Sequence, residues 1–127
     1  PILLPGHLDE ATVGLLHSAA DLAVLSFERD YERESGTLLE AITWGLPVVC
    51  SGRSAPAETV RTYALGEVFE PGDADALARA VRTSPRRLDP ECLERARDEL
   101  SCRAAASRYL ELFQELLSGH ESARDRA

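Results

Sequence analysis

Short apolar runs alternate along the chain with segments whose apolar residues recur every three or four positions. The runs at residues 21–26 and 47–50 are predicted to be short strands, the first of them buried, and residues 66–70 are predicted to be a third strand that ends at Pro71 and Gly72. The periodic segments are predicted to be helices, beginning near residues 9, 35, 57 and 73. Strands that alternate with helices pair in parallel through right-handed crossovers, so the pattern predicts an α/β fold with a Rossmann-like parallel sheet flanked by helices.

The pattern changes after the turn at Ser84 and Pro85. Residues 89–118 carry a helical apolar face that is broken near Ser101, and Gly119 is expected to end the helix. The predicted organisation is a partial Rossmann-like domain, then C-terminal helices that pack on it or on another domain, then a disordered polar tail. These parts cover residues 1–84, 85–119 and 120–127.

One helix start carries a distinctive set of polar residues. Ser35 and Thr37 are both candidate N-caps, and Gly36 lets a ligand approach the backbone. The free N–H groups of such a start favour an anion such as phosphate. Glu40 would repel phosphate, but its carboxylate can accept two hydrogen bonds from a vicinal diol such as a ribose. Phosphate beside a diol-binding carboxylate indicates a nucleotide.

The same residues also fit a purely structural role. A serine or threonine followed three positions later by glutamate forms a capping box, in which the glutamate returns a hydrogen bond to the cap's own backbone. Thr37 and Glu40 have that spacing. The spacing alone therefore does not separate ligand binding from helix capping.

The position of this helix start in the predicted sheet favours a site. In open α/β sheets ligands bind beyond the carboxyl ends of the strands. The loops after the strands that end near Leu25 and Cys50, and the loop at Gly6, would lie on that edge together with residues 35–37.

Composition narrows the function classes. The chain has 127 residues, of which 28% are charged and 44% hydrophobic, which fits one globular domain at most. No apolar run approaches the roughly 20 residues that span a bilayer, and no secretory signal is visible. The formal net charge of −8 argues against nonspecific nucleic-acid binding.

The three cysteines and three histidines are scattered. The cysteines fit reduced thiols in a cytosolic protein, and no spacing typical of a metal site occurs, so neither a metal nor a cofactor is expected. The chain contains no methionine and begins at Pro1, and residues 1–6 could form only one further strand of a thin sheet. We therefore expect this sequence to be a piece of a longer protein.

Taken in order, these motifs resemble the C-terminal, donor-binding domain of GT-B glycosyltransferases of the group 1, family 4 type. The resemblance extends to about residue 82, and residues 101–109 are more weakly similar to the terminal helix of such enzymes. The matching positions are Gly6, residues 16–26, Glu32, residues 35–41, Gly45, Pro47, residues 57–60, Gly66, residues 69–73 and residues 76–78.

The resemblance implies roles for individual residues. Glu32 and Glu40 match the family's pair of glutamates eight positions apart, which makes Glu32 the catalytic candidate near the donor sugar and Glu40 the ribose ligand. The backbone amides of residues 35–37 match the turn that meets the diphosphate. Ser35 stands where the common form has glycine, and this displacement leaves Glu34 as a rival to Glu32.

The implied reaction is transfer of a sugar from a nucleotide-diphosphate donor to an acceptor hydroxyl with retention at the anomeric carbon. The acceptor domain and the expected cationic residues would precede Pro1, so the 127 residues alone are expected to be inactive. A cytoplasmic enzyme, with or without peripheral attachment to a membrane, is implied. The alternatives are a GT-B nucleotide-sugar epimerase, for which His7 would be the candidate base, and a noncatalytic nucleotide-binding or scaffold module.

Overall fold

A parallel sheet of three strands lies at the centre of the fold. The computed structural model describes residues 4–28 and 31–124, with the backbone alone for residues 119–124. In chain order the elements are α1 (Glu10–Ala19), β1 (Ala23–Leu25), α2 (Gly36–Trp44), β2 (Val48–Ser51), α3 (Ala55–Thr62), β3 (Gly66–Phe69), α4 (Ala74–Thr83), α5 (Pro90–Glu99) and α6 (Cys102–Arg124). The strands are adjacent in the order β1, β2, β3, and both pairings are parallel. The predicted α/β, Rossmann-like class is confirmed.

The central strand β2 is buried along its whole length, which explains its uninterrupted apolar sequence. Val48 and Cys50 face the larger core cluster, which contains buried residues of α2 and α3. Val49 faces the opposite side and packs with Phe69 of β3 and Ala80 of α4. The sheet therefore has helices on both faces. Burial raises the pKa of the Cys50 thiol, which keeps this core residue protonated.

Helix α2 is fixed at its carboxyl end. Gly45 adopts a positive φ of 71° just after the helix, and its N–H and that of Leu46 close the last turn. The guanidinium of Arg97 in α5 donates to the carbonyls of Ile42 and Thr43 at 3.2 and 2.7 Å. Helix α5 therefore holds the C-terminal end of α2.

The C-terminal helices differ in how they pack. Helix α5 contributes the buried Ala96 and the partly buried Leu93 to the main core. Along α6 the apolar residues from Tyr109 to Leu117 are exposed. The helix continues through Gly119 to Arg124, so the predicted helix end at Gly119 is wrong and residues 120–124 differ from the predicted disordered tail. One glycine costs a helix only about 1 kcal/mol, too little to end this one. The division into a domain over residues 1–84 and a helical unit over residues 85–119 stays a prediction.

Helix α1 begins where it was predicted to begin. The carboxylate of Asp9 accepts a hydrogen bond of 2.7 Å from the Thr12 N–H, which lowers the pKa of Asp9. The apolar side chains of α1 are more exposed than their helical spacing predicts, since Leu15 is 70% exposed. The proposed fourth strand falls partly on residues 1–3, which lie outside the described part of the chain, and residues 4–6 do not form a strand.

Candidate functional site

The carboxyl ends of the three strands are tied to one another by hydrogen bonds. The Ser51 hydroxyl at the end of β2 donates to the Phe27 carbonyl at 2.8 Å and accepts from the Phe27 N–H at 2.5 Å. The Gly52 N–H donates to the carbonyl of Phe69, the last residue of β3, at 2.8 Å. These contacts fix the edge of the sheet from which α2 starts.

The structure selects Ser35 as the N-cap of α2. Its side chain is buried, and its hydroxyl oxygen accepts from the Leu38 N–H at 3.2 Å. Thr37 is therefore the second residue of the helix, and Glu40 lies too far along it to reach back to the cap. The capping-box interpretation of Thr37 and Glu40 is wrong, because the cap lies two residues earlier than that interpretation needs.

Two backbone donors remain available at this helix start. Within the described part of the chain, the N–H groups of Gly36 and Thr37 have no hydrogen-bond partner, whereas those of Leu38 and Leu39 bond to Ser35. A methyl group built on Gly36 would meet no atom within 4 Å. Packing therefore does not require glycine here, and both Gly36 and Thr37 are exposed.

Glu40 lies on the same exposed face of α2 as Gly36, one turn from the helix start. Gly36, Glu40 and Trp44 are spaced by four residues, and all three are exposed, whereas Leu38 and Ile42 face the core. The Glu40 side chain is 56% exposed. A molecule that binds the Gly36 and Thr37 amides would therefore extend toward a carboxylate one turn further along the helix.

A histidine of α1 completes this face. The His17 ring stacks on Trp44 with a centroid separation of 5.9 Å, and its Nε2 lies 3.9 Å from Glu40 Oε2. Trp44 is 48% exposed and does not belong to the core. Its ring instead covers Gly14, where a built Cβ would lie 3.5 Å away. Sequence reasoning missed His17, because only the approach of α1 to α2 places it beside Glu40.

The other predicted residues lie apart from this face. Glu32 and Glu34 are exposed in the loop before α2, and Glu32 lines an open depression with Tyr31 and Arg33. Gly6 has a positive φ of 101° in the segment before α1. Within residues 4–28 and 31–124, no hydrogen bond joins any of these three residues to α2. Their roles stay predictions.

The loop before α2 is acidic. Among its described residues it carries the carboxylates of Glu28, Glu32 and Glu34 and the guanidinium of Arg33, and all four residues are exposed. An anion at the start of α2 would meet favourable amides and unfavourable carboxylates together. Further positive charge is needed for tight binding of a diphosphate.

The described residues lack the features of two other classes of site. They contain no group of three or more histidine, cysteine or acidic side chains placed to hold a metal ion. No helix in residues 4–28 and 31–124 has the length and apolar character needed to cross a bilayer.

The fold and this helix start define a Rossmann-like domain with an exposed amide and carboxylate face at the carboxyl edge of its sheet. The family model for glycosyl transferases group 1 matches residues 2–84, and the chain belongs to this family of GT-B glycosyltransferases. Neither the curated proteins nor the solved structures gave a match. The predicted resemblance is confirmed at the level of group 1, while the narrower family 4 assignment stays a prediction.

Proposed function

We propose that this chain supplies the donor-binding site of a glycosyltransferase that uses a nucleotide-diphosphate sugar. In this proposal the amides of Gly36 and Thr37 bind the diphosphate, and Glu40 accepts hydrogen bonds from the ribose hydroxyls. Glu32 lies nearest the sugar, and Glu34 is its rival. Gly6 borders the donor site at the same edge of the sheet.

The observation that carries the proposal is the exposed face of α2. Unpaired N–H groups at a helix start attract phosphate, and each such contact contributes roughly 0.3–1 kcal/mol when exposed. Glu40 follows at the next turn on the same face, with its side chain 56% exposed. A carboxylate in that place disfavours more phosphate but suits a diol, and a nucleoside diphosphate presents both groups in this order.

The proposed reaction breaks the bond between the anomeric carbon and the diphosphate oxygen. A bond from the anomeric carbon to the acceptor oxygen forms with retention, the acceptor hydroxyl loses its proton to the departing diphosphate, and the nucleoside diphosphate leaves. The α2 amides stabilise the charge that grows on the diphosphate. The acidic loop before α2 makes additional cations necessary, and we propose that a further domain of the protein supplies them together with the acceptor site.

The proposal is tested by titrating the chain with UDP, GDP and ADP. Trp44 is the only tryptophan, and it lies one turn from Glu40, so its fluorescence should report a bound nucleoside. We expect at least one of the three to bind with a Kd below about 1 mM. Calorimetry checks the fluorescence result. If none of the three binds, and inorganic pyrophosphate does not bind either, the proposed site is wrong.

Replacing Gly36 by alanine should weaken ligand binding without destabilising the fold. The added methyl group meets no protein atom within 4 Å, and it lies beside the unpaired amides at the exposed start of the helix. Affinity for the best nucleoside diphosphate should fall about tenfold, as expected for weakened hydrogen bonds to a charged group. Stability in urea should be unchanged or slightly raised, because alanine favours a helix over glycine.

The matched control for this substitution is Thr43→Ala, which also improves helix propensity on an exposed position of α2. It should leave nucleotide affinity unchanged. Equal affinity of the Gly36→Ala variant and the unaltered chain would contradict diphosphate binding at these amides.

The 127 residues alone should show no transferase activity, because a donor-binding site does not supply the acceptor site or the further cations. The measurement is release of nucleoside diphosphate from UDP-, GDP- and ADP-sugars in the presence of simple glycoside acceptors. Turnover dependent on the donor would show that the chain is catalytically sufficient.

Membership of the group 1 family favours glycosyl transfer over the epimerase alternative. A noncatalytic module would bind nucleotide without turnover even when joined to its remaining domains.

A further inference from the structure

His17 is held in one orientation at the contact between α1 and α2. Its side chain is 15% exposed, and its ring lies nearly parallel to that of Trp44, with an angle of 14° between the planes. Its Nδ1 lies 2.9 Å from the Val13 carbonyl oxygen. A carbonyl can only accept, so Nδ1 carries the hydrogen and donates it. The stack on Trp44 and the hydrogen bond from Nδ1 to Val13 therefore fix the orientation of the ring.

This orientation leaves Nε2 facing Glu40. The separation of 3.9 Å between Nε2 and Glu40 Oε2 is longer than a hydrogen bond but short enough for the imidazole edge to limit how the carboxylate can turn. The Glu40 side chain is otherwise 56% exposed, on the face of α2 that it shares with Gly36. An exposed glutamate loses side-chain entropy when it binds a ligand, and a neighbour that restricts it in advance reduces that loss.

We propose that His17 is a positioning residue, which directs the Glu40 carboxylate toward the ribose of the donor and is itself fixed by Trp44 and Val13. This inference rests on the proposed function, because it assumes that Glu40 binds the ribose. His17 acts through Glu40, so its effect should be confined to ligands that carry the diol.

The test compares affinities for a nucleoside diphosphate and its 2′-deoxy form, with UDP, GDP or ADP chosen as whichever binds best. Calorimetry on the full chain is the measurement, since changes at His17 alter the environment of Trp44. His17→Phe keeps a flat ring against Trp44 and removes both nitrogens. It should reduce the preference for the ribonucleotide about threefold to tenfold, with pyrophosphate affinity unchanged. His17→Gln, which returns a polar group beside Glu40, should restore part of the preference.

A double-mutant cycle makes the result specific. In a Glu40→Ala background, His17→Phe should have no further effect on the preference for the ribonucleotide. The inference is overturned if His17→Phe leaves the preference unchanged, or if its effect is the same with and without Glu40. If His17→Phe changes the urea midpoint, the role of His17 is decided from the affinities of His17→Gln alone.

The failure of this inference is distinguishable from failure of the proposed function. If Glu40→Ala removes the preference for the ribonucleotide while His17→Phe does not, the ribose site stands and His17 has only a packing role. If Glu40→Ala itself leaves the preference unchanged, the ribose assignment is wrong, and the role of His17 is overturned with it.

Discussion

Replacing Glu40 by alanine should lower the affinity for the best-bound nucleoside diphosphate about a hundredfold while leaving the fold intact. A hundredfold loss is about 2.7 kcal/mol, which corresponds to two hydrogen bonds from ribose hydroxyls to an ionised carboxylate at the lower end of the usual contribution of roughly 1.5–3 kcal/mol each. The stability change should stay within about 0.5 kcal/mol, because Ser35 caps α2 and Glu40 is an exposed side chain without a capping role.

Calorimetric titration and urea denaturation of the same samples measure the two quantities. The control is Glu111→Ala, which removes another exposed glutamate from the middle of a helix, in α6. Affinity for pyrophosphate serves as an internal reference and should not fall, since the lost carboxylate would repel it. An unchanged nucleotide affinity, or a loss of stability comparable with that of a missing cap, would contradict ribose binding by Glu40.

The elements of the fold were predictable where local chemistry decides them. Asp9, Ser35 and Asp73 each accept a hydrogen bond from the N–H three residues later, and all three are residue types that favour a helix start. The strands β1 and β2 were found because each is short and apolar, and β3 was found because it is bounded by turn residues. Between Ser35 and Thr37 the sequence could not choose, because both residue types cap well and the choice depends on how the loop leaves β1.

The candidate site was predictable only in part, for a reason of geometry. Glu40 and the amides of Gly36 and Thr37 lie in the first turns of one helix, so their closeness follows from residue spacing. His17 and Trp44 come from different helices, and their stack depends on the close approach of α1 to α2 at Gly14. No periodic pattern contains that information.

The exposed apolar faces show a second limit of sequence patterns. An apolar stripe predicts that a helix has a covered face but does not identify what covers it. On α6 the stripe is real in sequence, yet Leu112, Phe113 and Leu116 are about half exposed or more among the described residues. The same holds for Leu15 of α1. Burial depends on the neighbours that tertiary structure provides.

Gly66→Ala should cause the largest loss of stability of any single substitution considered for this chain. Gly66 begins β3 with a φ of 145° and pairs with Val48 of the central strand. A Cβ built there would overlap the Val48 carbonyl oxygen, at 2.1 Å, and would lie 2.8 Å from the Val48 nitrogen. The obstacle is backbone in a fully buried strand, so the clash can be relieved only by separating β2 from β3.

We expect a loss of more than about 4 kcal/mol, which is a large part of the 5–15 kcal/mol that typically stabilises a domain. Urea denaturation followed by circular dichroism measures it. The matched control is Gly72→Ala, because Gly72 also has a positive φ, of 82°, but a Cβ there would meet nothing within 4 Å. That variant should lose only the roughly 1–2 kcal/mol of the unfavourable backbone conformation. Equal urea midpoints for the two variants would show that β2 and β3 are not in the close contact described.

The same substitution also sets the standard for interpreting losses of binding. Phe69 of β3 accepts the Gly52 N–H, and Ser51 of β2 holds the backbone of Phe27 in the loop that leads to α2. Separating β2 from β3 therefore removes the support of the carboxyl edge of the sheet, where the nucleotide is proposed to bind. Gly66→Ala should abolish nucleotide binding although Gly66 does not contact the ligand. A residue of this site is assigned to the ligand only when its substitution lowers affinity and leaves the urea midpoint in place, which is the result expected for Glu40 and the opposite of that expected for Gly66.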